Sequence, residues 1–306
     1  MTLPERPLVS IVIPSYNQGR YIRETIDSIL SQDYRPIEVL VFDGASKDET
    51  VEVLKSYDAP ELQWWTEPDR GVVDAVNKGL ARARGEIVAI QSSDDVYAHG
   101  AITAAVDAFA EDEDVDLVYG DVEYIDAASR VTSRTNLPPF DLREYIGKLT
   151  FIPQPAAFFR ASAMRAAGEW REDISYAADA EFYLRLALRG GVRKLDRVLA
   201  RYRYHEAQRD KEAARIPPHW EKAVLPWMAG KDRALRRTAR GGVWMVRHHY
   251  TPEGRWMRRT YLAWRMTAAS PSLIRQARLQ ELIPFAWPVR RLLSRIKQAL
   301  GFRPRQ

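Results

Sequence analysis

Leu-Val-Ser-Ile-Val-Ile-Pro-Ser-Tyr-Asn-Gln-Gly-Arg-Tyr-Ile-Arg-Glu-Thr-Ile-Asp-Ser-Ile-Leu-Ser, residues 8–31, decides the fold class. Leu8 to Ile13 is an apolar, β-branched run stopped by Pro14, which reads as a buried strand. From Tyr21 to Ser31 the apolar residues Ile22, Ile26, Ile29 and Leu30 recur at helical spacing. The alternation continues outward. Glu38 to Phe42 reads as a strand, Thr50 to Ser56 as a helix, Leu62 to Trp65 as a strand, Val72 to Ala83 as a helix and Glu86 to Ile90 as a strand. Strand, helix, strand, helix predicts an α/β fold with a mostly parallel sheet flanked by helices. Ligands of such sheets bind beyond the carboxyl ends of the strands. The polar clusters of this chain fall there: Pro14 to Asn17, Asp43 to Asp48, Glu67 to Arg70 and Ser92 to Asp95.

The last cluster carries chemistry of its own. An apolar run ends in Gln-Ser-Ser-Asp-Asp, residues 91–95, and adjacent carboxylates at a sheet edge repel each other unless a cation joins them. A hard divalent ion is one reading of Asp94 and Asp95. Capping of a helix over Ala101 to Ala110 is the other.

The chain has 306 residues, 46% hydrophobic and 10% aromatic, enough for a large core and one domain with an appendage, or two. It has no Cys, which excludes disulfides, zinc–thiolate sites and a cysteine nucleophile and agrees with a reducing compartment. Neither a signal-peptide core at Met1 to Pro7 nor a membrane-spanning run is expected. The net charge of +5 conceals a division. Residues 216–306 hold 19 Lys/Arg and 4 Asp/Glu; taking these from the whole chain's 46 and 41 leaves 27 and 37, a net of −10, for residues 1–215. Six of the nine Trp also lie in the basic part, at Trp220, Trp227, Trp244, Trp256, Trp264 and Trp287. The expected domains are 1–215 and a basic, Trp-rich helical extension over 216–306, suited to an anionic membrane surface. Within it Val289, Leu292, Leu293, Ile296 and Leu300 share one helical face, with Arg290, Arg291, Arg295 and Lys297 off it. That pattern reads as an in-plane membrane helix or as a helix docked on the first domain.

Taken in order, the motifs resemble those of family 2 glycosyltransferases. They are Val9-Ser-Ile-Val-Ile-Pro-Ser-Tyr-Asn17, Val41-Phe-Asp-Gly-Ala-Ser-Lys-Asp-Glu-Thr50, Glu67-Pro-Asp-Arg-Gly71, Asn77-Lys-Gly79 and the Asp94-Asp95 pair. The resemblance covers about residues 8–207, of the bacterial surface-polysaccharide type. It implies a GT-A fold, a nucleotide-diphosphate sugar donor (a UDP-sugar foremost), Mg2+ or Mn2+, and inversion at the anomeric carbon. The acceptor it implies is a saccharide or lipid-linked hydroxyl.

The resemblance also distributes roles. Pro14, Ser15, Tyr16 and Asn17 would lie along the nucleoside, with Asp43 accepting from a base N–H and Ser46 beside it. Read from the residues alone, Asp43 before Gly44 equally closes a turn onto Ser46 or Asp48. Arg70 would grip phosphate through its forked guanidinium, or pair with Asp69 at the surface. Asp94 and Asp95 would hold the cation and Asp94 also the donor. Many members have Asp-X-Asp-Asp where this chain has Ser92-Ser93-Asp94-Asp95, which leaves open which carboxylate touches the ion.

Asp179, at the start of a helix in Tyr176 to Leu186, matches the family's base, and an N-cap is its alternative. Glu181 would meet the acceptor or a neighbouring Arg, and Gln154 the acceptor. His205 would reach the metal or diphosphate, or serve structure. An inactive nucleotide-sugar-binding scaffold of a polysaccharide assembly complex is a second reading. Nucleic-acid binding is not expected, since no such module accompanies the basic tail. The expected location is cytoplasmic, peripheral on the cytoplasmic face of the membrane.

Overall fold

The protein is described here by a computed structural model over residues 3–206 and 215–251, with 261, 262, 265 and 269 besides. Those residues form two compact units, one of 3–142 with 150–206, the other of 143–149 with 215–251 and the four further positions. The sequence places a division at 215 but does not assign 143–149 to the second unit. The amphipathic pattern at 289–300 lies outside the described residues.

The first unit opens as expected, with β1 (Val9–Ser15), α1 (Ile22–Leu30), β2 (Ile37–Asp43), α2 (Thr50–Lys55), β3 (Leu62–Thr66), α3 (Val72–Arg82) and β4 (Ile87–Ile90). It continues through β5 (Val96–Tyr97), α4 (Ala101–Glu111), β6 (Val115–Ile125), β7 (Val131–Arg134), β8 (Ala157–Arg160), α6 (Ala161–Ala167), α7 (Ala178–Ala187) and β9 (Gly191–Arg203). A short helix, α5 (Leu142–Ile146), falls between β7 and β8. The strands run in the order β3-β2-β1-β4-β8-β6-β9-β5, with β7 on β6.

Only part of this sheet is parallel. β3, β2, β1 and β4 pair in parallel. β8 then enters antiparallel between β4 and β6, β9 runs parallel to β6, and β5 closes antiparallel on β9. The expectation of a mostly parallel sheet is corrected to a mixed one. Strand–helix alternation, its basis, stops after β4.

Every residue of β1 and β2 is buried, which is why both read as continuous apolar runs: helices cover both faces of a parallel sheet. Ile11, Ile13, Val39 and Val41 meet Ile22, Ile26 and Ile29 of α1 in one core. Each such side chain contributes about 2–3 kcal/mol by leaving water. A carboxylate, Glu38, is buried in β2 as well. Burial pushes its carboxyl up, but donors from Ser10 and Arg84 outweigh this and hold it below its ordinary value.

The second unit contains α8 (Ile216–Val224) and α9 (Arg233–His249). Asp232 caps α9, its side chain accepting from Leu235 N at 2.8 Å. Trp220 of α8 is almost fully buried, edge-on to Tyr145. It is therefore a core residue and not one of the interfacial indoles that the composition suggested. Among the described residues no helix is long and apolar enough to cross a membrane.

Candidate active site

The parallel strands deliver their polar ends to one edge. Register pairs Ser15 of β1 with Asp43 of β2, and Asp43 with Thr66 of β3. The loop after β1 turns through Asn17, which takes a left-handed φ of 53°. Its N–H donates to Ser46 Oγ at 2.7 Å, and its Oδ1 accepts from Lys47 N at 2.9 Å. Gly19 N donates to Asp48 at 2.9 Å; a Cβ at Gly19 would lie 2.5 Å from the Glu49 side chain and 2.8 Å from Thr50 N, so only glycine fits. Burial pushes the Asp48 carboxyl up, but donors from Thr50 and Gly19 prevail and hold it low. Tyr16 stands out from this frame, 58% exposed.

Asp43 is buried at the strand end and already engaged. It accepts from Ser46 N at 3.0 Å, from Thr66 Oγ1 at 2.7 Å and from Ser46 Oγ. Of the two readings left open for Asp43, turn closure onto Ser46 is the one present in these bonds.

Arg70 precedes Gly71, whose φ of 109° favours glycine and starts α3. Its partners are not Asp69. The guanidinium meets Asp74 at 2.8 Å and forks onto Glu172 at 2.7 and 3.2 Å, while remaining mostly exposed. The hydrogen bonds to Glu172 raise the guanidinium's pKa further and lower that of Glu172. Asn77 clamps the backbone of Trp170 in both directions, at 2.8 and 2.9 Å.

After β4 the chain turns at Ser92, and the two aspartates part. Asp95 is 1% exposed and its Oδ1 accepts from Arg203 N at 2.8 Å. It therefore secures the turn to β9, which corrects the expectation that both carboxylates face a cation. Asp94 retains partial exposure, and its Oδ2 lies 2.9 Å from His205 Nε2. β9 pairs with β5 immediately after the turn, and this brings His205 back to Asp94. The His205 ring leans on Tyr21 at 4.8 Å.

Arg203 joins these pieces, and the sequence reading passed over it. Fully buried, it donates from Nε to Asp94 O at 2.7 Å, from Nη2 to Glu24 at 2.7 Å, and from Nη1 to Ser129 Oγ at 2.8 Å and Asp126 O at 3.2 Å. Its guanidinium also covers Tyr21 at 4.8 Å. Gln91, also unremarked in the sequence, buries an amide at the end of β4 that meets no hydrogen-bonding group among the described residues.

The acceptor-side expectation for Gln154 is corrected, and that for Glu181 resolves to one of its two alternatives. Gln154 turns its amide inward, accepting from Ser92 Oγ at 2.8 Å and donating to Ile90 O, and so braces the turn. Glu181 is completely buried and pairs with Arg185 at 2.9 Å; Arg185 in turn donates to Glu169 O at 2.7 Å. Glu181 thus takes the neighbouring-Arg role. Asp179 sits in the first turn of α7, whose N-cap is Ala177, so it is not the capping residue.

Asp94 and His205 form the pair that could hold a divalent ion. An imidazole nitrogen and a carboxylate oxygen 2.9 Å apart are donors whose chemistry suits such an ion. Among the described residues no third His, Asp or Glu joins them, so oxygens of a bound diphosphate or water would complete the shell.

The model for "Glycosyl transferase family 2" matches residues 10–167, just over half of the chain. An uncharacterized glycosyltransferase of Mycobacterium tuberculosis is 32% identical over 185 residues, 60% of this chain and 70% of that protein. The chondroitin synthase of Escherichia coli is 30% identical over 201 residues, 64% of this chain but 29% of that larger enzyme. In fold the chain is similar to S. aureus TarS 1–349 in complex with UDP-GlcNAc, with a TM-score of 0.66 at 16% identity over 87% of this chain and 82% of that one. It is similar also to the mannosyltransferase PcManGT of Pyrobaculum calidifontis in complex with GDP-Man and Mn2+, with a TM-score of 0.62 at 20% identity over 99% and 84%. These likenesses make the mixed sheet a GT-A fold. The motif order along the strand ends and the family match across 10–167 lead to one assignment: the chain belongs to glycosyltransferase family 2 and is a glycosyltransferase.

Proposed function

We propose that the protein transfers a sugar from a nucleotide diphosphate, UDP foremost, to a hydroxyl of a saccharide or lipid-linked acceptor in polysaccharide assembly, with inversion. The observation that carries this reading is the Asp94–His205 pair at 2.9 Å, at the edge where Asp43 and the Pro14 to Asn17 loop also end. Tyr16 is exposed for contact with a nucleoside, and Ser15 and Asn17 edge the same loop. Asp43, with Ser46 fixing its rotamer, offers an acceptor to a base N–H. Arg70 reaches the diphosphate by leaving Glu172, an exchange made easy by its exposure. A divalent cation, Mg2+ or Mn2+, held by Asp94 and His205 would act as a Lewis acid on the leaving diphosphate.

Asp179 is the base in this proposal. Its carboxylate takes the acceptor hydroxyl proton while the hydroxyl oxygen attacks the anomeric carbon on the face opposite the diphosphate. One C–O bond forms, the bond to the diphosphate oxygen breaks, and the diphosphate leaves with the bonding pair. The basic second unit would keep the enzyme on the cytoplasmic face of an anionic membrane.

The test is calorimetric titration of UDP-, GDP- and dTDP-sugars with and without Mn2+, on the wild type and on Asp179→Asn. We expect one donor to bind in a cation-dependent way with nearly equal affinity to both proteins, and only the wild type to transfer. Equal loss of binding and transfer in Asp179→Asn would remove its role as base. If no donor binds under either condition, the proposed donor and its cation-dependent binding fail.

A further inference from the structure

Helix α9 divides sharply. Leu235, Ala239, Gly242, Val243 and Val246 are buried, whereas Arg233, Arg237, Arg240, Trp244 and Arg247 follow one another at steps of four, three, four and three residues along the other face. These steps confine them to one narrow stripe. Arg265 adds to it from the following segment, its guanidinium 4.4 Å from the Trp244 ring, with Arg247 on the same indole at 5.0 Å. Arg237, Arg240, Trp244, Arg265 and Ala269 line a cavity of about 290 Å3.

Three guanidinium groups thus face one cavity. Among the described residues no carboxylate lies at ion-pair distance from Arg237, Arg240 or Arg265; Glu221 is engaged by Arg247, and Asp232 caps the helix. Among the described residues these three make two hydrogen bonds, from an N–H of Arg237 to Ala269 O at 3.2 Å and from one of Arg265 to Tyr261 Oη at 2.8 Å. Both leave further donors of each fork unused. Like charges gathered without a counter-ion favour an anion that can bridge them, and the guanidinium fork matches phosphate oxygens.

We propose that this cavity is a phosphoryl-binding site, separate from the site at the strand ends and independent of the reaction proposed there. It takes a phosphate or diphosphate group, with Arg237, Arg240 and Arg265 as donors and Trp244 holding Arg265 in place. The group comes from a soluble phosphate or from an anionic phospholipid headgroup, and the two sources are separable.

The test uses the full chain in EDTA, which suppresses cation-dependent binding elsewhere. Inorganic pyrophosphate is titrated by calorimetry, and vesicles of phosphatidylcholine with and without phosphatidylglycerol are used in flotation. The double variant Arg237→Gln/Arg240→Gln is set against Lys231→Gln/Arg236→Gln, which removes the same charge from exposed positions off the cavity. The first should weaken binding about 25-fold, roughly fivefold for each arginine, and the second by no more than about threefold. Arg237→Lys/Arg240→Lys, which keeps charge but not the fork, should fall between, and it replaces the Gln pair if that pair melts early. Pyrophosphate binding without vesicle binding assigns a soluble ligand. Dependence of flotation on both phosphatidylglycerol and the two arginines assigns a headgroup. Equal weakening by the two Gln doubles would reduce the site to a diffuse field, and absence of binding to either probe would overturn it.

Discussion

Replacing Arg203 by Met tests whether the Asp94 turn is held by its buried guanidinium. Methionine nearly preserves the volume, so the cavity contribution is small and the effect lies in the polar groups abandoned. Glu24 is 43% exposed and regains water. The carbonyls of Asp94 and Asp126 each lose a donor, and so does Ser129 Oγ. At about 1 kcal/mol for each of these three half-buried acceptors, the loss is about 3 kcal/mol. The Asp95 bond survives, since the backbone N–H of residue 203 makes it. For a unit of this size that loss lowers the melting temperature by about 6–12 °C, read by scanning calorimetry. The functional readout is the Mn2+ concentration for half-maximal donor binding, which should rise about tenfold or more because Asp94 and His205 lose their common support. Arg203→Lys, keeping one charge-assisted bond, should recover part of both. A melting temperature within about 2 °C of wild type would refute the reasoning; a lowered melt with an unmoved Mn2+ requirement would limit Arg203 to stability.

The two aspartates should separate by assay. Asp94→Asn and His205→Gln weaken cation-dependent donor binding without changing the melt much, whereas Asp95→Asn lowers the melt; the reverse assignment would contradict the geometry. Arg70→Gln should leave the melt unchanged and reduce donor affinity, and the opposite pattern would make Arg70 only a surface partner of Glu172. Acid should destabilise the first unit through Asp121 and Glu38. Burial pushes the Asp121 carboxyl up, but Leu137 N–H, Thr135 and Lys194 outweigh it and hold it low, as donors do for Glu38. Depressed carboxyls stabilise fully above their unfolded values near pH 4 and lose this as pH falls through the folded ones, so the melt should hold from pH 7 to about 5 and drop below about 4. Asp121→Asn should melt lower at pH 7 and show a shallower acid drop, and an unchanged slope would exclude that pair as a source.

The first half of the fold was legible because β1, β2 and β4 are buried along their whole length, while α1 and α3 each bury one face. The helix read over Tyr21 to Ser31 is α1 to within a residue at each end, and the polar clusters do fall at the strand ends. The second half of the sheet was not. β8 enters between β4 and β6, both well before it in the chain, and a four-residue strand, Ala-Phe-Phe-Arg, does not announce its neighbours or its direction. Polar residues showed the same limit. Arg203 ends a strand in which charged residues such as Arg193, Lys194 and Arg197 recur, so it reads as solvated; its burial rests on partners distant in the chain, Asp94, Asp126 and Glu24, the last 179 residues earlier. The resemblance puts Gln154 toward the acceptor and leaves Glu181 between the acceptor and a neighbouring Arg, whereas folding uses Gln154 to brace the turn and Glu181 to pair with Arg185.

The charged groups expected to meet the donor already hold partners: Asp43 has Ser46 and Thr66, Arg70 has Glu172 and Asp74, and Asp94 has His205. Donor binding under the proposed function is therefore an exchange of partners. These exchanges differ in cost. Arg70 leaves an exposed carboxylate that water solvates at once, whereas parting Asp94 from His205 exposes two polar atoms in a nearly closed site, and only a cation that accepts both restores their bonding. Asp43 need not part from anything, because a carboxylate has lone pairs beyond the three donors it now meets. The arrangement thus favours a cation and diphosphate entering together, since the diphosphate completes the cation's shell and the cation separates the pair. Cation affinity measured without donor should accordingly be weak and should rise with the nucleotide diphosphate alone, without its sugar. An equal affinity in both conditions would show that Asp94 and His205 bind the ion unaided.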